Sequence, residues 1–120
     1  MHKVVKCIFF GTPDFAVPSL KALRDAGYAM AAIVTTPDQP VGRKRILVPS
    51  PVKQAALELN FLVLEPNKLD DSFFETFINL QPDICIIVAY GKIIPAKYLV
   101  IPRYGFVNIH ASLLPEYRGP

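Results

Sequence analysis

Short, almost uninterrupted apolar runs alternate along the chain with segments whose apolar residues recur every three or four positions. Val4–Phe10 is the first such run. It is nearly continuous rather than alternating, which predicts a strand buried on both faces. Phe15–Ala26 follows with Ala16, Leu20 and Leu23 at helical spacing. Pro18 is tolerable in a first turn, and Gly27 is a natural stop. Met30–Thr35 predicts a second strand. Ser50 can cap a helix whose first residue is Pro51 and whose buried stripe is Val52, Ala55, Ala56 and Leu59. Phe61–Leu64 predicts a short third strand. Asp71 or Ser72 then opens a helix with Phe73, Phe74, Phe77 and Ile78 as its stripe. Ile84–Ala89 predicts a fourth strand, Ala96–Leu99 a short helical turn, and Phe106–Ile109 a fifth strand.

Strand and helix repeated in this way predict parallel strands joined by right-handed crossovers. The expected fold is α/β, an open, Rossmann-like, doubly wound and mostly parallel sheet with strands in the order 3-2-1-4-5. No repeat or linker divides the chain, so 1–120 is expected to be one domain. The segment Thr36–Pro49 interrupts the alternation with Pro37, Pro40, Gly42 and Pro49. It reads as a long irregular loop, and loops of that length are often functional.

Composition narrows the class. With 120 residues, 52% hydrophobic and 19% charged, the chain can bury a sizeable core and is not disordered. A net charge of +3 permits an anionic partner without demanding one. No apolar run approaches the roughly 18 residues of a membrane helix, and "VVKCIFF" lacks the cleavage site of a signal peptide. Cys7 and Cys85 sit inside apolar runs and are expected to be buried, reduced thiols. A cytoplasmic protein, or one of an organelle matrix, with no membrane association is the expectation.

In open α/β sheets, ligands bind beyond the carboxyl ends of the strands where strand order reverses. Three segments fall there: "GTPDFA" after strand one, "YGK" after strand four and "NIH" closing strand five. The first is not a dinucleotide loop, because a single Gly11 is followed by Thr12 and Pro13, and proline removes an amide donor. "YGK" fails as a phosphate loop, since Ile86 stands where the first glycine is needed. Asn108 and His110 are two residues apart, so both project from one strand face, with Ile109 turned toward the core. Such a pair either satisfies loop backbone at a strand end or donates to an oxyanion in acyl-type transfer. Asp14 and Asp38 each follow a proline and read as acceptors that order loops.

The segments "FFGTPDFAVPSL", "TTPDQPVGRKRILVPSPVKQAAL", "IIVAYGKIIP" and "NIHASLLPEYRG", in this order over nearly the whole chain, resemble the N-terminal domain of the methionyl-tRNA formyltransferase family. That resemblance implies formyl transfer from 10-formyltetrahydrofolate to the methionyl amino group of initiator tRNA, in translation initiation, without a metal. It makes Asn108 and His110 two of three catalytic residues, the third being an aspartate expected beyond Pro120. A C-terminal tRNA-binding domain is likewise expected beyond this chain. By the same resemblance Ser112, Leu113, Leu114 and Pro115 belong to the folate site, where the leucines wall a ring and the proline stiffens the loop. Arg43, Lys44 and Arg45 are expected to meet tRNA phosphates. Family members often carry G-R-G where this chain has Gly42-Arg43-Lys44. Relatives of the same fold that formylate a small amine, such as glycinamide ribonucleotide or an amino sugar nucleotide, share N-x-H and "SLLP". The basic Pro-rich segment and "PSPVK" belong to the tRNA-directed branch. A folate-binding chain without turnover is the remaining alternative.

Overall fold

The computed structural model describes residues 4–110. Strand β1, Lys6–Gly11, lies at the centre of a five-stranded sheet. On one side it pairs in parallel with β2, Ala29–Val34, which pairs with the short β5, Val63–Leu64. On the other side it pairs with β6, Ile84–Val88, and then comes β7, Phe106–Asn108. Counting only these five strands along the chain, the order is 3-2-1-4-5, as the alternating pattern predicts.

Helices cover both faces. A 3-10 turn, Asp14–Ala16, leads into α1, Val17–Asp25, and this helix packs with α2, Pro51–Glu58, on one face. Leu20, Val52 and Ala56 meet Cys7, Phe9, Ile33 and Val88 there. Helices α3, Asp71–Asn79, and α4, Ala96–Leu99, cover the other face, where Phe77 and Tyr98 meet Ile8, Phe10, Val34 and Cys85. Alternate residues of β1 thus feed two different cores, which is why its sequence is apolar throughout. Cys7 and Cys85 fall in opposite cores as free, buried thiols, and burial pushes Cys7 up to about 12.

The caps follow elementary rules. Ser50 Oγ accepts from the Lys53 amide at 3.0 Å ahead of Pro51. Asp70, one residue earlier than expected, accepts from the Phe73 amide at 3.0 Å. Two expectations fail. Ile78 is 40% exposed, because Phe73, Phe77 and Leu80 take the inward arc of α3 and leave it on the flank. The segment 36–49 is not irregular. It forms an antiparallel hairpin of β3, Gln39–Val41, and β4, Ile46–Val48, a two-stranded sheet separate from the main one. Pro40 is tolerated because a two-stranded ribbon consists only of edges. Gly42 (φ 78°) and Arg45 (φ 52°) bracket the turn.

Gly11 ends β1 beside Val88 of β6. A Cβ there would lie 2.7 Å from the Phe9 ring and 2.9 Å from the Val88 carbonyl oxygen. Backbone cannot retreat as a flexible side chain would. Gly11→Ala is therefore expected to destabilise the protein by about 1–3 kcal/mol, read as a lower denaturant midpoint at constant slope. An unchanged midpoint would show that the two strands have slack where they are drawn tight.

Candidate functional site

The order in which successive strands are laid down reverses between β1 and β6, with α1 and α2 on one face of the parallel sheet and α3 and α4 on the other. The loops leaving those strands must diverge, and a cleft of about 520 Å³ opens at their carboxyl ends. Phe15, beyond β1, forms one wall. Ala89, Gly91, Lys92 and Ile93, beyond β6, form the floor and a second wall. Asn108, Ile109 and His110, at the end of β7, form the third. The three segments singled out by their position at strand ends therefore meet in one hollow.

Asn108 pairs with Ile87 in register, and the Ile109 amide donates to the Ile87 carbonyl at 2.8 Å. This bond carries the backbone one residue past β7 and holds Asn108 and His110 on the cleft. Ile109 also lines the cleft and is 36% exposed, rather than turned into the core. The ladder stops at Asn108, and among the described residues nothing packs over β7's outer edge to bury the next side chain. Ser112, Leu113, Leu114 and Pro115 lie outside the described residues.

The floor is shaped by backbone. Ala89 (φ 53°) and Gly91 (φ 93°) both take left-handed conformations and turn the chain sharply out of β6. For Ala89 that conformation costs on the order of 1–2 kcal/mol, so neighbouring contacts must hold it. Thr12 supplies one: its hydroxyl donates to the Tyr90 carbonyl at 2.8 Å. Tyr90 packs edge-on against Phe10, with centroids 5.3 Å apart, and anchors the loop in the second core. Its hydroxyl has no hydrogen-bond partner among the described residues, and burial pushes it up to about 12. Lys92 donates to the Asn67 carbonyl at 2.9 Å and so ties the same loop to the segment after β5. An apolar hollow with an amide and an imidazole on one wall can hold a flat ring and offer hydrogen-bond donors at one edge.

Arg43, Lys44 and Arg45 form the exposed turn of the hairpin, outside the cleft. Their setting differs from a plain polar loop. Val41, Ile46 and Leu47 beside them are 54%, 62% and 64% exposed, so the cations cap an apolar ribbon. At the hairpin's root, Thr35 and Ser50 are both buried and share a hydroxyl hydrogen bond of 2.7 Å. Asp38 accepts from Lys53 Nζ at 2.9 Å, and Glu65 lies 3.0 Å from the same ammonium. The Lys53 ammonium holds the Asp38 carboxyl below the usual carboxylate range, and the two carboxylates raise Lys53 in return. Asp38 thus orders a loop, as its place after Pro37 implies. Glu65 lies in no motif, and Lys53, though it closes "PSPVK", was given no role there. The one signal is a lysine in the first turn of a helix, where the dipole disfavours a cation.

A family model described as formyl transferase matches residues 3–120, and the chain belongs to that family. The chain is 54% identical to a methionyl-tRNA formyltransferase of Pelotomaculum thermopropionicum, over 96% of this chain and 37% of the relative. It is 50% identical to a methionyl-tRNA formyltransferase of Enterococcus faecalis, over 97% of this chain and 37% of the relative. It therefore spans 37% of the length of these curated relatives. Among solved structures, glycinamide ribonucleotide transformylase 1 from Geobacillus kaustophilus superposes with a TM-score of 0.64 at 19% identity, over 98% of this chain and 63% of that one. That likeness is one of fold. The resemblance read from the motifs, and the α/β fold expected from the pattern, are borne out.

Thr12→Val removes the hydroxyl and keeps the shape. Hydrogen exchange of the amides at 89–92 is expected to accelerate, with a loss of about 1 kcal/mol in overall stability. Protection at 89–92 equal to that of the unaltered protein would mean that Thr12 does not hold the cleft floor.

Proposed function

We propose that the protein transfers the formyl group of 10-formyltetrahydrofolate to the methionyl amino group of initiator tRNA, a reaction in keeping with its relatives' name, methionyl-tRNA formyltransferase. The observation that carries this reading is the 54% identity to a methionyl-tRNA formyltransferase across 96% of this chain, against 19% to the glycinamide ribonucleotide enzyme of similar fold. In this reading residues 1–120 form the folate-dependent catalytic domain, and its partners are the folate and the charged tRNA.

The cleft suits the donor. Its volume falls in the usual range for small-molecule sites, and Phe15, Ile87 and Ile93 offer apolar surface to a ring. Asn108 and His110 then act on the formyl group. The amine nitrogen attacks the formyl carbon, and the carbonyl π pair moves onto oxygen. The Asn108 amide and a ring N–H of His110 donate to that oxygen as charge develops. The oxygen pair then re-forms the carbonyl while the bond from carbon to folate N10 breaks. The proton lost by the attacking nitrogen ends on N10, so the products are a formamide and tetrahydrofolate. Ser112, Leu113, Leu114 and Pro115 complete the folate site in this reading.

The hairpin serves the other substrate. Arg43, Lys44 and Arg45 stand on a projecting ribbon, where they can reach phosphates that the cleft cannot accommodate. A small-amine acceptor would leave these cations without a task.

Two experiments separate the parts. Asn108→Ala and His110→Ala are each expected to lower kcat about 10²–10³-fold, with tRNA affinity unchanged. Near-normal turnover in both would remove the pair from the reaction. Replacing Arg43, Lys44 and Arg45 together by alanine is expected to weaken tRNA binding and leave folate binding intact. It should also flatten the salt dependence by a slope of about 0.9 for each phosphate that is no longer neutralised. Efficient formylation of a free small amine, with tRNA affinity and salt slope unaltered, would instead favour the small-molecule acceptor.

A further inference from the structure

The hairpin shares no strand pairing with the five-stranded sheet. Its arms are exposed along their whole length. Between its base and the body lies a hollow of about 220 Å³, bordered by Val41 and Val48 on one side and by Thr12 and Thr36 on the other. Close packing therefore does not fix the direction in which the ribbon points. Something else at its root must.

The root holds one cluster of charge. Lys53, in the first turn of α2, reaches Asp38, just before β3, and Glu65, just after β5. Three elements distant in sequence are joined at one ammonium: the hairpin, a helix and the sheet's edge. The three side chains are only 21–29% exposed, so the pairs are partly shielded from solvent. A lysine at that place opposes the helix dipole, and two carboxylates compensate it. One of them belongs to the hairpin and the other to the sheet, so the ammonium bridges two bodies that otherwise touch loosely.

We propose that Lys53, gripped by Asp38 and Glu65, is a positioning residue that fixes the hairpin's direction and so presents Arg43, Lys44 and Arg45 to the RNA substrate. This rests on the reading of the hairpin as the tRNA contact. Lys53 acts through the ribbon and does not itself touch phosphate.

The test exploits a conflict of sign. Asp38→Asn removes a negative charge near an RNA-binding surface, so electrostatics alone would tighten binding. Positioning demands the reverse. In the protein without RNA, Asp38→Asn and Lys53→Met should each accelerate amide exchange over 39–48 by about tenfold, with the five-stranded sheet unchanged. Each should weaken binding of a methionylated initiator tRNA transcript several-fold without altering the salt slope, because the same number of phosphates is still neutralised. The double variant should be little worse than either single one, since both break the same link. Unaltered exchange over 39–48 overturns the proposal without reference to RNA. Tighter binding by Asp38→Asn, or a salt slope reduced by about 0.9 in Lys53→Met, also overturns it, the latter by making Lys53 a phosphate contact. Failure of the underlying reading looks different: alanine at 43, 44 and 45 would then leave tRNA affinity untouched while the exchange results stood.

Discussion

Strand β1 hydrogen-bonds to parallel neighbours along both edges and sends alternate side chains into two cores, so it has no free surface on which misplacement could be absorbed. Its register with β6 places Gly11 against Val88, and that contact admits no Cβ. The two strand ends are thereby drawn together just before their loops part. The width of the cleft is set by this approach, and its floor by the sharp exit of Ala89–Gly91 that Thr12 restrains. Packing in the middle of the sheet and the shape of the cleft at its rim are consequences of one backbone constraint.

The sheet was legible because burial on both faces leaves a simple trace. Runs such as Ile84–Val88 have no alternation to misread, and Ser50-Pro51 marks a helix start by chemistry that depends on few neighbours. The hairpin was illegible for the opposite reason. Its strands are three residues each, exposed, and contain Pro40, so neither period nor propensity distinguishes them from a loop. Ile78 and Ile109 were misplaced because the period gives a face but not the extent of what covers it.

The site divided along the same line. Asn108 and His110 could be found because strand alternation and the switch-point rule place two unusual residues at one rim. Phe15 and Ile93 also line the cleft, yet each is an apolar residue among many, and only the path of the loops brings them there. The link among Asp38, Lys53 and Glu65 joins residues from three segments, which no local pattern can announce. What sequence conveys best is what neighbours in the chain decide. Contacts between distant polar side chains emerge only when the topology has closed.

The buried bond between Thr35 and Ser50 closes the chain across the base of the hairpin, 2.7 Å wide between the two oxygens. Everything between those residues leaves the body and returns through this narrow waist. Strand β2 ends and helix α2 begins on either side of it, each complete without the ribbon. The hairpin is thus a cassette on a closed scaffold. Its length, charge and apolar content can drift through insertion, deletion or exchange with little effect on the sheet. A change at the ribbon's tip need not disturb the strands and helices beneath it.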